Sequence, residues 1–369
     1  MMIASFLSVY SASANLAFVY GKVTVGSLLF KHATHLIIGL AILFLTHLVP
    51  LRYIAGLSVF GVILAIGLLA LTLSMGTEID GANASRWLIV PGVGVSIQTS
   101  ALAALALLIY LPRCLSKRQR NEWTMKNSWV IYVPLAIILA LIFPANFSTA
   151  VLLYVSCALV LFVGGYPAKY IAAISGGLVL MATLFILTVS VMPSMSNRVD
   201  TWKARIESFT SGEKAVNYQV EKARMAISNG MVVGKGPGKS AQKNFLPQSN
   251  SDFIYAIIVE EYGFVGGLTV MAFYLFLWIR IMRISLRSSS FFGSLAAFAV
   301  GFSLIFQAFI NMAVAVNLVP VTGQTLPLLS AGGSSIWVTC IALGIVLRVS
   351  QESKPSDEPL VEQENTAVA

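Results

Sequence analysis

The chain has 369 residues, of which 57% are hydrophobic and 11% charged, with a mean hydropathy of +0.83. An ordinary soluble domain carries about 25% charged residues, so this composition excludes one and identifies a polytopic membrane protein. The 24 Lys and Arg outweigh the 15 Asp and Glu by nine charges. Acids are scarce here, and each one beside an apolar run needs a reason.

Apolar stretches near 20 residues can cross a hydrocarbon core of about 30 Å as helices, and continuous rather than alternating runs exclude a barrel. In chain order the expected spans are 2–20, 32–49, 53–75, 93–112, 129–143, 148–164, 168–191, 253–279, 291–317 and 326–349. The fold class is therefore an all-α membrane protein of about ten transmembrane helices with one large external loop. Pro50, the polar run Thr77 to Arg86, Pro144 and Tyr166-Pro167 mark breaks, as proline does where helices end. The first span begins at Met1 without a charged prelude, so a short natural N-terminal segment is expected to be missing. A cleaved signal peptide is not expected, because a basic n-region is absent.

Arg113, Lys117, Arg118, Arg120 and Lys126 lie in one short loop, and Arg280, Arg283 and Arg287 in another. The positive-inside rule assigns both to the cytoplasm. Ten spans then put both termini inside and residues 192–251 outside. Residues 1–349 form the membrane domain, and 350–369, with Pro355, Asp357, Glu358, Glu362 and Glu364, read as a disordered acidic tail. Cys114, Cys157 and Cys340 are scattered and expected to be free thiols. His32 and His35 are one helical turn apart, which reads as polar residues near a helix end rather than a metal site.

The 192–251 loop holds nine basic residues against four acidic ones. Beside a membrane, that surface suits an anionic headgroup or a pyrophosphate. Within it, Gly234-Lys235-Gly236-Pro237-Gly238-Lys239-Ser240 fails the P-loop test, since the opening glycine would fall on Val233. Two readings stand: successive backbone N–H groups presented to a phosphate, or glycines needed only for tight turns.

Asp252 ends this loop and begins the eighth span. An acid there is favoured by the helix macrodipole, so it reads either as a helix cap or as a general base. Glu260 and Glu261 follow about 12 to 14 Å deeper along a helix. Adjacent residues cannot face the same side, so one is expected to bond a neighbouring helix and the other to face a polar cavity. Asn311 to Asn317 and Ser330 to Ser335 give a polar, small-residue helix entry of the kind tolerated at membrane depth where it lines a cavity.

Six stretches together resemble the SEDS family (shape, elongation, division and sporulation), in order and over nearly the whole membrane region. They are Arg86-Trp87, Tyr218-Gln219, Gly234 to Gly238, Leu246-Pro247 through Ala256, Glu260-Glu261 with Gly263, and Val319-Pro320-Val321-Thr322-Gly323 through Gly332-Gly333-Ser334-Ser335. The wording from Asn250 to Tyr255 and from Thr322 to Pro327 is closer to the division members than to the elongation members. The resemblance implies a peptidoglycan glycosyltransferase that polymerises lipid II on the outer face of the bacterial cytoplasmic membrane, at the division septum. It would invert the donor sugar and release undecaprenyl pyrophosphate. Implied partners are lipid II, the growing glycan strand, a class B penicillin-binding protein, other division proteins and membrane lipids, with no nucleic acid. No cofactor is required, and a divalent cation, Mg or Mn, is left as the candidate. The family's essential aspartate falls on Asp252 as catalytic base, and Arg86, Lys235, Lys239, Lys243, Glu260 and Ser334 are the expected substrate-binding residues.

Two segments depart from the family. Its Gln-Pro-Ser-Glu-x-x-Lys segment is here Gln98-Thr99-Ser100-Ala101-Leu102-Ala103-Ala104, without the acid or the lysine. Its Pro-Asp/Glu-x-Phe segment is Pro144-Ala145-Asn146-Phe147, again without the acid. Two other functions compete: a lipid II flippase, for which repeated halves with paired discontinuous helices are expected and no internal repeat is found, and a noncatalytic division scaffold, which should survive neutral substitution of Asp252.

Overall fold

The computed structural model describes residues 1–20, 24–75, 87–89, 96–118, 122–191, 218–246 and 249–352. Arg86, the first part of the expected external loop and the acidic tail lie outside these residues. The apolar runs form α1 (Met2–Tyr20), α2 (Val25–Leu48), α3 (Leu51–Met75), α4 (Thr99–Ser116), α5 (Trp129–Ile142), α6 (Phe147–Val163) and α7 (Ala168–Val191). After α8 (Tyr218–Gly230) come α9 (Ile254–Arg287), α10 (Phe291–Ala315) and α11 (Gly333–Gln351). Among the described residues, six of these helices (α2, α3, α4, α9, α10 and α11) are long and apolar enough to cross a membrane. The expected count of ten crossings exceeds what length and composition establish.

Helix ends follow local chemistry. The Thr24 hydroxyl accepts from Ser27 N–H at 3.3 Å, Asn146 Oδ1 from Thr149 N–H at 3.2 Å, and Ser290 Oγ from Gly293 N–H at 3.0 Å, each satisfying an orphan donor of the first turn. Val49 is extended ahead of Pro50, as residues preceding proline prefer. Several expected boundaries shift. Residues Ser96–Gln98 (β2) pair antiparallel with Trp87–Ile89 (β1), so α4 starts at Thr99 rather than at 93. The last helix starts at Gly333 rather than at 326, because Leu326 to Gly332 follow a non-helical path. In the other direction, α9 runs past 279 to Arg287, since arginines at a helix end can extend their heads to the interface. The helix α4 also continues through Pro112 to Ser116.

The main core lies among α3, α4, α5, α6 and α10, with Leu107, Leu111, Ile131, Leu135 and Ile138 fully buried. Against it, α2 packs on α11 closely enough that a Cβ on Gly344 would sit 2.7 Å from the Leu43 carbonyl oxygen. Leu57, Phe60 and Ile63 on α3 and Leu180 and Leu184 on α7 are exposed, as lipid-facing residues are. The three cysteines are free, as expected, and all three are buried. His32 is hydrogen-bonded to Ser5 Oγ at 2.9 Å, and His35 meets Trp337 edge-on. Within the expected external loop, residues 218–230 form α8, whose small buried face of Val220, Ala223 and Ala226 packs with the start of α9.

Candidate active site

Asp252 lies half-buried in a turn spanning Ser249 to Phe253. The N-cap position of α9 is Phe253, which makes no side-chain cap bond, and Asp252 stands one residue before it. Three consecutive carbonyls fasten this turn. Asn250 O accepts from Ala331 N–H at 2.8 Å, Ser251 O from Ser330 Oγ at 2.6 Å, and Asp252 O from Asn311 Nδ2 at 2.7 Å. Phe253 is buried beneath them. The main chain that carries Asp252 is thus fixed through three successive carbonyls, and its position does not depend on those bonds reaching the side chain.

The irregular segment that supplies two of those donors, Ser330 and Ala331, has hydrogen bonds of its own, as non-helical backbone away from water needs. Asn311 Nδ2 also donates to Gln324 O at 2.6 Å, Gln307 Nε2 to Thr325 O at 2.9 Å, and Gln324 Nε2 to Thr149 Oγ1 at 2.6 Å. Ser330 Oγ accepts from Leu326 N–H at 2.7 Å, and the buried Tyr274 hydroxyl donates to the Pro327 carbonyl. Between this segment and α4, α6, α10 and α11 lies a cavity of about 110 Å³. Its polar lining includes Ser100, Thr149, Ser156, Gln307 and Thr325, and no charged side chain borders it among the described residues. Asp252 is not on its wall. The two are joined through Asn311, which bonds Gln324 of the wall, and through Ser330, itself part of the wall. Ser334 is buried, and its hydroxyl accepts from Gln98 N–H at 2.8 Å, tying β2 to the start of α11.

Lys235, Lys243 and Glu260 come together in a separate cluster. The Glu260 carboxylate, fully buried, accepts from Lys235 Nζ at 2.9 Å, from Ala241 and Gln242 N–H at 3.2 Å each, and from Ser240 Oγ. Glu261, 1% exposed, accepts from Ser11 Oγ of α1 and from Ser240 N–H at 3.4 Å. Glu261 thus bonds a neighbouring helix as expected, but Glu260 does not face a cavity: the glycine-rich turn closes over it. Both acids engage one turn because the turn wraps around the helix and presents Ser240 to each. Part of the turn's backbone N–H set therefore holds carboxylates, and the N–H groups of Lys235 and Gly236 donate to the Glu260 and Glu261 carbonyls at 3.0 and 2.9 Å. Lys243 Nζ donates to Gly238 O at 2.7 Å. Lys239 is exposed. Among the described residues no group of three or more His, Cys, Asp or Glu could hold a metal ion.

Backbone meets backbone here because α9 breaks at Gly263, with φ 69° and ψ −169°, a conformation open to glycine almost alone. Phe264 and Val265 N–H, freed by the break, donate to Met231 and Val232 O at 2.9 and 3.3 Å. An added Cβ on Gly263 would lie 2.2 Å from Val232 O. Gly263→Ala is expected to cost about 1 to 3 kcal/mol in backbone strain alone, plus the bonds lost as the turn is pushed away. The check is proteolysis of the 231–242 segment in the purified protein. Unchanged cleavage would show that the turn tolerates the separation.

The family model described as cell cycle protein, covering FtsW, RodA and SpoVE, matches residues 1–355. The chain belongs to this family. It is 31% identical over 359 residues to the probable peptidoglycan glycosyltransferase FtsW of Pseudomonas fluorescens, covering 93% of this chain and 84% of that one. It is 32% identical over 337 residues to the protein of the same description from Nitrosococcus halophilus, covering 88% and 83%. Among solved structures, a chain from a peptidoglycan synthase complex that coordinates polymerization and crosslinking superposes with TM-score 0.71 at 26% identity, covering 96% of this chain and 98% of that one. The rod shape determining protein RodA of Thermus thermophilus superposes with TM-score 0.65 at 26% identity, covering 96% of each chain.

The structure gives the two departing segments a location. Ala101 and Ala104, which stand where the family motif carries an acid and a lysine, both line the 110 Å³ cavity. Ala145 borders a smaller recess with Asn146, and Asn146 is occupied as the cap of α6. These substitutions thus leave the cavity wall neutral.

Proposed function

We propose that this chain is a peptidoglycan glycosyltransferase that polymerises lipid II during cell division, with Asp252 as its base. The observation that carries the reading is the Asp252 turn, pinned on three successive carbonyls, in a chain whose relatives are described as probable peptidoglycan glycosyltransferases. The carboxylate accepts the proton of the acceptor sugar's 4-hydroxyl as that oxygen attacks C1 of the donor. The C1–O bond to undecaprenyl pyrophosphate breaks, the configuration at C1 inverts, and nearby cations stabilise the departing charge. Lys239 is the cation of the turn best placed to meet a ligand, because Lys235 is paired with Glu260 of α9 and Lys243 with the Gly238 carbonyl. Arg86 is proposed as the cation from the first half of the chain.

The partner is proposed to be a class B penicillin-binding protein, supported by the likeness to a chain of a synthase complex that both polymerises and crosslinks. The direct test supplies purified protein, with and without such a partner, with labelled lipid II. Glycan polymers are expected, and their absence under both conditions would overturn the reading.

The proposed orientation has cytoplasmic termini and residues 192–251 outside. A cysteine at Ser211 should react with an impermeant reagent in intact cells, and one at Ser116 should not. Background is low because the three native thiols are buried. The reverse pattern would place the Asp252 turn on the side without a glycan acceptor.

A further inference from the structure

The turn that precedes α9 carries an apolar tip for which the transferase reading has no use. Met231, Val232 and Val233 are 79%, 62% and 79% exposed. The Met231 and Val232 carbonyls accept from Phe264 and Val265 N–H, and those two side chains are also exposed, at 60% and 56%. The tip and the helix therefore form one continuous apolar surface. It runs on along α9 through the exposed Leu268, Phe276 and Ile279.

Helix rise fixes the depth of this surface. Counting back about 30 Å of hydrocarbon at about 1.5 Å per residue from Arg280, Arg283 and Arg287 reaches about residues 260, 263 and 267, a range that contains the break at Gly263. The break at Gly263 then falls at the boundary between hydrocarbon and headgroups, at the end of α9 away from its arginines. Phe264 and Val265 lie just inside that boundary, and the bonds to Met231 and Val232 hold the tip at the same level. Lys239, exposed, lies eight residues from Met231 in the same turn, with the Lys235 side chain still 35% exposed beside Glu260. An apolar tip with a lysine rim matches the vertical order of a bilayer surface, acyl chains below and phosphates above.

We propose that the 231–239 turn is a lipid-binding site: Met231, Val232 and Val233 insert into the leaflet around α9, and Lys239 binds the phosphate of an acidic phospholipid. The segment read from sequence as part of an aqueous loop is thus partly immersed. The insertion rests on the membrane-spanning fold and not on the transferase reading; Lys239 is the one residue that both readings use, so its substitution is read here by lipid quenching and not by polymerisation. Because the same turn closes over Glu260, the insertion also sets the height of the α9 segment that leads to Asp252.

The test uses the full chain in nanodiscs, with a fluorophore on Val232→Cys, the native thiols being buried. Asn244→Cys, exposed outside the tip, and Phe276→Cys, exposed on α9, are the aqueous and lipid references. Nitroxide on the upper acyl chain is expected to quench the Val232 probe at least about twofold more than a water-soluble nitroxide does. Nitroxide-labelled phosphatidylglycerol should quench it more than labelled phosphatidylcholine, and Lys239→Glu should abolish that difference. Stronger quenching from water would overturn the insertion, as would protection from both quenchers, which would mean that protein covers the patch. Equal quenching by the two lipids, or a preference untouched by Lys239→Glu, would overturn the acidic-headgroup site.

Discussion

Asp252→Asn is expected to abolish lipid II polymerisation while leaving the protein folded. The substitution preserves the shape of the side chain and cannot touch the three pins on Asn250, Ser251 and Asp252, because all three engage main-chain carbonyls. Loss of a general base costs about 10² to 10⁴ in rate, or roughly 3 to 5 kcal/mol of transition-state stabilisation. Expression, thermal midpoint and partner binding should match the parent, with turnover near background. Polymerisation at more than about a tenth of the parent rate would put less than about 1.4 kcal/mol at stake. It would return Asp252 to a structural role at the entry of α9 and leave the base to another group.

The second large effect is expected at Glu260, where the loss is structural. Glu260→Ala leaves Lys235 Nζ, Ser240 Oγ and the N–H groups of Ala241 and Gln242 without their shared acceptor. Breaking a buried pair costs about 3 to 5 kcal/mol, and the low end applies because Lys235 reaches water. At about 3 kcal/mol the turn opens roughly a hundredfold more often. Amide hydrogen exchange at Ala241 and Gln242 reports this directly, and unchanged protection there would show that the carboxylate does not hold the turn. Glu260→Gln keeps one acceptor oxygen and should fall between the two.

The positions of most helices were legible because runs of Leu, Ile, Ala and Val about 20 residues long have few other uses. Legibility failed where the signal depends on contacts between distant segments. The hairpin of Trp87–Ile89 with Ser96–Gln98 has three residues per strand, too few for alternation to register. The helix α8 buries Val220, Ala223, Ala226 and Gly230, a stripe so small that its apolar signal is weak. Leu326, Leu328 and Leu329 are as hydrophobic as any helix residue, yet bonds from Tyr274 and Gln307 to the Pro327 and Thr325 carbonyls, with the local bond of Leu326 N–H to Ser330 Oγ, hold them off the helical path. Of the candidate site, Asp252 was legible as a lone acid at a helix entry. The roles of Asn311 and Ser330 were not, since nothing local marks a side chain whose work is to grip a carbonyl 59 or 79 residues away. Glu260 was legible as costly but not as a staple, because its partners sit on a turn 18 to 25 residues upstream.

The packing of α2 against α11 has a consequence for how the protein is made. Gly39 meets Cys340, about 300 residues later in the chain, with room for nothing larger than hydrogen. At about 5 to 20 residues per second, α2 waits roughly 15 to 60 s in the membrane before its partner is synthesised. During that interval Gln98 also lacks the Ser334 hydroxyl, and the Asp252 turn lacks the Ser330 and Ala331 donors. Fastening of the Asp252 turn is therefore among the last events of translation, and a ribosome that stops before Ser330 leaves a membrane-inserted chain without two of its three pins.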